Sequence, residues 1–282
     1  MAYTILGIHG LANKPPEDVL TRSCKAAVLE GLRRNCGNTE QKVEYKGIYW
    51  ADVMYPKPLN PDDEPYIEAD GSGPFKTYKD GWWSDVVAGV LGIGGDALDG
   101  AKRYVGMDAL ADAVLKAKLK DLATYNENKA IRDELCGRLK RELLNVPANT
   151  RIMLIAHSMG TIIAYDVLRD IGRDNPNFQL DHLVTIGSPL GLPHVKNQIY
   201  QENNLVRTPT VVKRWTNFAD RRDPVATDVH LSDDYAPNDR GVQVKDDLVI
   251  NNYTSPAGKA NYHKMYGYLR APELSEVVRS FL

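Results

Sequence analysis

The sequence predicts an α/β protein, a mainly parallel central sheet with helices on both faces. Three features carry that expectation. Short apolar runs rich in branched side chains recur along the chain, several of them closed by glycine. Stretches with apolar residues at helical spacing lie between them. The two kinds alternate, and a strand–helix–strand succession implies crossovers that keep the strands parallel and cover both faces.

The first run, "YTILGIHG" (Tyr3 to Gly10), has the continuous apolar character of a strand buried on both sides. "PPEDVLTRSCKAAVLEGLRRN" opens with prolines and acids, as helix starts do. It carries Val19, Ala26, Ala27, Leu29 and Leu32 on an apolar side. "KVEYKGIYWADV" (Lys42 to Val53) is the second expected strand. Pro56 to Asp80, rich in proline, aspartate, glycine and tyrosine, reads as irregular, and "DVVAGVLGIGGDALDG" is too glycine-rich for a firm helix. "MDALADAVLKAKLKDLATY" is a better helix, with Met107, Leu110, Val114 and Leu122 on one side. Residues 53–126 are therefore read as an insertion into a single domain spanning 1–282.

Regular alternation then resumes. "NKAIRDELCGRLKRELLN" is an amphipathic helix, "RIMLIA" a strand and "GTIIAYDVLRDI" a helix. "LDHLVTIGSPL", "TVVKRWTNFAD" and "VQVKDDLVINN" each hold a strand. "APELSEVVRSFL" closes the chain as a helix with Pro272 in its first turn.

Composition narrows the function classes. A formal net charge of −2, with basic and acidic residues interspersed, offers a polyanion nothing to bind, so no nucleic-acid partner is expected. Cys24, Cys36 and Cys136 have neither disulfide-framework nor zinc-site spacing, and are expected to be reduced thiols packed in helices. No metal and no cofactor are called for. "MAYTILGIHG" lacks a signal peptide's basic start and cleavage site, and no apolar run approaches the roughly 18 residues of a membrane span. The expectation is a cytoplasmic protein, with export by a dedicated secretion system left open.

The most informative stretch is "RIMLIAHSMGTIIAYDVL" (Arg151 to Leu168), where a strand gives way to a helix within four residues with Ser158 at the corner. So tight a turn strains the backbone and lifts the side chain off the sheet. It also demands small neighbours two positions away, here Ala156 and Gly160. The helix beyond points its positive end at the serine. The competing reading makes Ser158 a helix N-cap beside a packed methionine.

"AHSMG" resembles the nucleophile elbow of the α/β-hydrolases, usually written G-x-S-x-G, with Ala156 in place of the first glycine. The resemblance extends over nearly the whole chain apart from the insertion and implies a core sheet of about six strands. It also implies the chain order serine, acid, histidine. "N-x-x-D-x-x-D-P-V" (Asn217 to Val225) resembles the acid loop of lipase-like members, which makes Asp223 the orienting acid and leaves Asp220 as its rival. Both are also ordinary turn formers. The base is expected after the last strand, where "NNYTSPAGKANYHKMYGYL" carries His263, first among the six histidines by position and by resemblance. "IHGL" resembles the family's His-Gly motif, so the backbone amides of Leu11 and of Met159 are the implied oxyanion donors. His9 is then a structural hydrogen-bonding residue, and Ser188 of "TIGSPLGL" is structural too.

The resemblance implies a serine hydrolase cleaving a carboxylic ester, lipase- or esterase-like, through an acyl-enzyme on Ser158. A thioesterase, amidase or phospholipase with the same triad is the alternative, as is a non-catalytic binding member of the fold. Insertions in this family often form lids. Residues 53–126, with "GWWSDVVAGVLGIGG" at their centre, are expected either to cover the acyl cleft and touch a lipid surface transiently, or to pack as an extra hydrophobic layer or dimer contact.

Overall fold

Six strands form one sheet in the order β2-β1-β3-β4-β5-β6, and every neighbouring pair is parallel. They are β1 (Ala2–Ile8), β2 (Tyr45–Ile48), β3 (Thr150–His157), β4 (His182–Ile186), β5 (Trp215–Ala219) and β6 (Val244–Leu248). The computed structural model describes residues 2–37, 42–62, 65–79, 120–256 and 258–282. The helices among them are α1 (Glu17–Cys36), α2 (Ala51–Met54), α3 (Lys129–Leu144), α4 (Met159–Asp174), α5 (Pro193–Asn203), α6 (Met265–Leu269) and α7 (Pro272–Phe281). Residues 120–127 are also helical.

Strand side chains alternate between two apolar layers because successive residues of a strand face opposite ways. Leu6, Ile8, Leu154 and Ala156 pack with α3, α4 and α5 on one face. Ile5, Met153 and Ile155 pack with α1, α6 and α7 on the other. Both faces of the central strands are thereby covered, which is what continuous apolar runs require. Helix ends obey local chemistry. Asn128 caps α3 by accepting from the amide of Ile131, Gly37 ends α1 in a left-handed turn, and Pro272 starts α7.

Some expectations need correcting. The second strand stops at Ile48, and the residues expected to continue it turn at Trp50 into α2, because Trp50 is caught from both sides by His9. The run beginning at Thr210 pairs in the sheet only from Trp215, since Val211 and Val212 are tied off to Leu180. α5 was not expected from the sequence, for it buries only Val195 and Ile199 and shows no apolar stripe. Within the expected insertion, residues 55–62 and 65–79 form neither helix nor strand. Glu30, fully buried, holds part of this segment through the Ala69 amide and the Tyr66 hydroxyl. "GWWSDVVAGVLGIGG" and most of the helix expected over 107–125 lie outside the described residues. The three cysteines are free and sit in α1 and α3.

The strand order reverses at β1: the chain moves outward to β2, then returns to β3 on β1's other side. Open parallel sheets form their crevice at such a switch point, beyond the carboxyl ends of the strands that flank it. Here those ends carry Gly10 and Ser158. Among the described residues no helix is long and apolar enough to cross a membrane.

Candidate active site

Ser158 has φ 55° and ψ −130°, a conformation that costs a non-glycine residue on the order of 1–3 kcal/mol. The surroundings impose it. β3 must end against Ile186, whose carbonyl takes the Ser158 amide at 3.1 Å, and α4 must begin at once. The Ser158 hydroxyl does not cap α4. Thr161 occupies the carbonyl of Ser158 instead, through its amide at 2.9 Å and its hydroxyl at 2.7 Å. The N-cap reading therefore fails, and the serine side chain is left for another use.

Register explains which elements meet there. Ile8 stands opposite Ala156, so the chain two residues on brings Gly10 against Ser158. A side chain at Gly10 would overlap the Ser158 Cβ, and one at Gly160 would lie 2.6 Å from the carbonyl oxygen of His9. The end of β1 and the elbow thus touch backbone to backbone, and only glycine fits at either position.

His263 lies in the loop between β6 and α6. Its Nε2 is 2.9 Å from Ser158 Oγ, and its Nδ1 is 2.8 Å from each oxygen of Asp223. A carboxylate only accepts, so Nδ1 carries the proton and Nε2 is free to accept from the serine hydroxyl. Asp223 is fully buried at its carboxyl, and burial alone would raise its pKa. The neighbouring His263, the Val225 amide and the Tyr268 hydroxyl outweigh burial and hold it below the ordinary carboxylate value. It is a charged acceptor aimed at one imidazole.

Asp220, the rival acid, is engaged elsewhere. Its oxygens take the Arg222 guanidinium, with contacts at 2.9 and 2.6 Å, and the Asn251 amide at 2.6 Å. Arg222 also donates to the Asn251 carbonyl and lies over the Tyr262 ring at 4.0 Å. Asp220 therefore ties the loop after β5 to the loop after β6 and makes no hydrogen bond to the base.

Comparison with protein-family models, with curated proteins and with solved structures finds no match. The chemistry therefore rests on the geometry of these residues.

Several supporting residues gave no sequence signal. Tyr268 donates to Asp223 Oδ2 at 2.7 Å and accepts from the Asp220 amide at 3.1 Å, so one phenol ties the Asp223 carboxylate to the backbone at Asp220. Asn251, completely buried, donates to the carbonyls of Tyr262 and Lys264 and so grips the chain on both sides of His263. The His157 ring lies against that of His263, tilted by 36° with ring centres 4.7 Å apart, and its Nε2 is 2.8 Å from the His263 carbonyl. Gly187, at φ 53°, sits where any side chain would strike Asp223 Oδ2 at 2.8 Å. These are long-range contacts with no characteristic spacing. Only His157, inside "AHSMG", and Gly187, inside "TIGSPLGL", lie in stretches the sequence singles out.

On the other side of Ser158 lie the two amides expected as oxyanion donors. Met159 opens α4, where a backbone N–H has no intrahelical partner. Leu11 follows Gly10 in the loop after β1. His9 is structural, as expected: its Nε2 accepts from the Trp50 amide at 3.1 Å and its Nδ1 donates to the Gly10 carbonyl at 2.8 Å. Burial, with nearby Lys14, pulls its pKa down to about 3, so the ring is neutral. Ser188 is also structural, bonded to Thr161 and the Leu190 amide.

Proposed function

We propose that this chain is a serine hydrolase of α/β-hydrolase type that cleaves a carboxylic ester through an acyl-enzyme on Ser158. The observation that carries the reading is the unbroken relay of Ser158 Oγ, His263 and Asp223, at 2.9 and 2.8 Å, at the switch point of the sheet.

His263 Nε2 takes the serine proton as Oγ attacks the ester carbonyl, and Asp223 keeps the imidazole in that tautomer and stabilises its cation. The amides of Leu11 and Met159 receive the charge that develops on the carbonyl oxygen; one such donor is worth about 3 kcal/mol. The imidazolium returns its proton to the leaving alkoxide. Water then attacks the acyl-serine with His263 as base, releasing the acid and restoring the serine hydroxyl. Each step uses only side chains and amides of this chain.

Ser158 is 1% exposed. The lid role of residues 53–126, with a transient lipid contact, belongs to the same proposal. Polar substitution of Trp82 and Trp83 is expected to change the preference between long and short acyl chains.

The test is labelling by a fluorescent fluorophosphonate in wild type, Ser158→Ala and His263→Ala, with and without detergent, followed by a p-nitrophenyl ester series. Labelling that needs both residues, and turnover of the esters, are expected. Folded wild-type protein that stays unlabelled under both conditions would overturn the reading.

A further inference from the structure

Leu11 stands between two peptide groups, and three of their four polar atoms are tied down. The Gly10 carbonyl accepts from His9 Nδ1 at 2.8 Å. The Leu11 carbonyl accepts from Lys14 Nζ, which also reaches the Ala12 carbonyl at 2.9 Å. The Ala12 amide donates to Asp121 Oδ2 at 3.2 Å. The fourth atom, the Leu11 amide, makes no hydrogen bond among the described residues. Because N–H and C=O of a trans peptide point opposite ways, fixing the Gly10 carbonyl on His9 turns the Leu11 amide away from that ring.

Ala12 has φ 67°, a left-handed conformation that non-glycine residues avoid, so the loop needs outside anchors to stay in place. Asp121 is one, and it arrives from 109 residues further along the chain, within the helical residues 120–127. Asp121 is buried, and its other partner is the Tyr55 hydroxyl, 2.8 and 2.7 Å from its two oxygens. No ion pair joins it among the described residues. A buried carboxylate held only by neutral donors is expensive unless those hydrogen bonds are retained, so the contact to Ala12 is a rigid one.

We propose that Asp121, steadied by Tyr55, is a positioning residue for oxyanion binding: it locks the peptide after Leu11 so that the Leu11 amide stays aimed at the substrate carbonyl. The role rests on the acyl-transfer reading of Ser158. It makes the helical stretch at the end of the insertion part of the catalytic support, although none of its residues touches the triad. What matters is the acceptor, not the charge, because a negative charge beside an oxyanion hole does nothing to stabilise an oxyanion.

The experiment compares wild type with Asp121→Asn, Asp121→Leu and Tyr55→Phe on p-nitrophenyl butyrate, alongside a trifluoromethyl ketone whose hemiketal oxygen occupies the oxyanion hole. Thermal unfolding monitors the fold of each variant. For Asp121→Leu, kcat is expected to fall about 10- to 100-fold with KM within about twofold, and the ketone to bind weaker by the same factor as kcat. Asp121→Asn, which keeps an acceptor for Ala12, should stay within about threefold of wild type, and Tyr55→Phe should lose about three- to tenfold in kcat. Folded Asp121→Leu with wild-type kcat and ketone affinity overturns the proposal, as does an equal loss in kcat for Asp121→Asn and Asp121→Leu. If Asp121→Leu does not fold, Tyr55→Phe decides: a fall in kcat at constant KM supports the role, and no change overturns it. Wild-type protein that neither labels with fluorophosphonate nor turns over ester fails at the earlier step. That result overturns the acyl-transfer reading and this role with it, and is told apart by needing no variant.

Discussion

The two sides of Ser158 are built by different means. On the side of the base, the loops after β5 and β6 are locked by buried side chains: Asp220 with Arg222, Asn251 with the carbonyls flanking His263, Tyr268 between the two acids. On the side of the proposed oxyanion donors, the loops after β1 and β3 are shaped by backbone. Gly10 and Gly160 allow contact, Ser158 and Ala12 hold positive φ, and His9 and Asp121 clamp peptide groups. The difference has a physical root. A relay moves a proton between side chains and needs their rotamers fixed, whereas an oxyanion hole uses amides and needs the main chain fixed. Losses on the first side should therefore depend on side-chain identity, and losses on the second on space and dihedral angle.

The comparison breaks outright if the relay is not the engine. Ser158→Ala and His263→Ala are each expected to lower ester kcat on the order of a million-fold with folding intact, measured by burst-free initial rates and urea unfolding. The paired acids sharpen it next. Asp223→Asn should cost roughly ten-thousand-fold in kcat with little loss of stability, because the amide favours the wrong imidazole tautomer. Asp220→Asn should do the reverse, keeping most activity per folded molecule while costing about 3 kcal/mol in urea titrations, since it leaves Arg222 half-paired in a largely buried setting. Equal activity losses for the two would erase the distinction between them.

On the backbone side, Gly160→Ala drives a methyl to 2.6 Å from the His9 carbonyl and should cost about 1–3 kcal/mol of stability together with most activity. A smaller effect is expected for Tyr268→Phe, about 1–2 kcal/mol in transition-state stabilisation, because Asp223 keeps its Val225 and His263 donors. A pH slope is expected as well. His9 and His182 are both pulled down to about 3 by burial, so the folded chain refuses protons that the unfolded chain accepts below about pH 6.5. Stability should decline as pH falls from about 6.5 towards 3, and Asp223, held below the ordinary carboxylate value, adds a loss of the same sign below about pH 4. Urea midpoints at pH 7, 5.5 and 4 measure this, and His182→Gln should flatten the slope.

Much of the frame was legible because it is local. The all-parallel sheet, the strand-to-helix corner at Ser158 and the thiols in helices follow from apolar runs, glycine placement and spacing within a few residues. The early end of β2 was not legible, since Trp50 turns away only because His9, forty-one residues earlier, holds its amide and its indole. α5 escaped for the opposite reason, having too small a buried side to mark it.

By itself the sequence determined which residues are chemically able to act: a serine at a corner that needs small neighbours, a histidine after the last strand, and two aspartates that turn chemistry treats alike. The acid-loop resemblance ranked Asp223 ahead of Asp220, and only the tertiary structure supplied the partners that separate them. Asp220 and Asp223 lie three residues apart with the same side chain, and what separates their carboxylates is that Arg222 and the Asn251 amide bond one while His263 and the Tyr268 hydroxyl bond the other. Asn251, His263 and Tyr268 are brought to them by strand register and loop packing across 31 to 45 positions. No local pattern encodes that distance, so the partners of each aspartate belong to the fold.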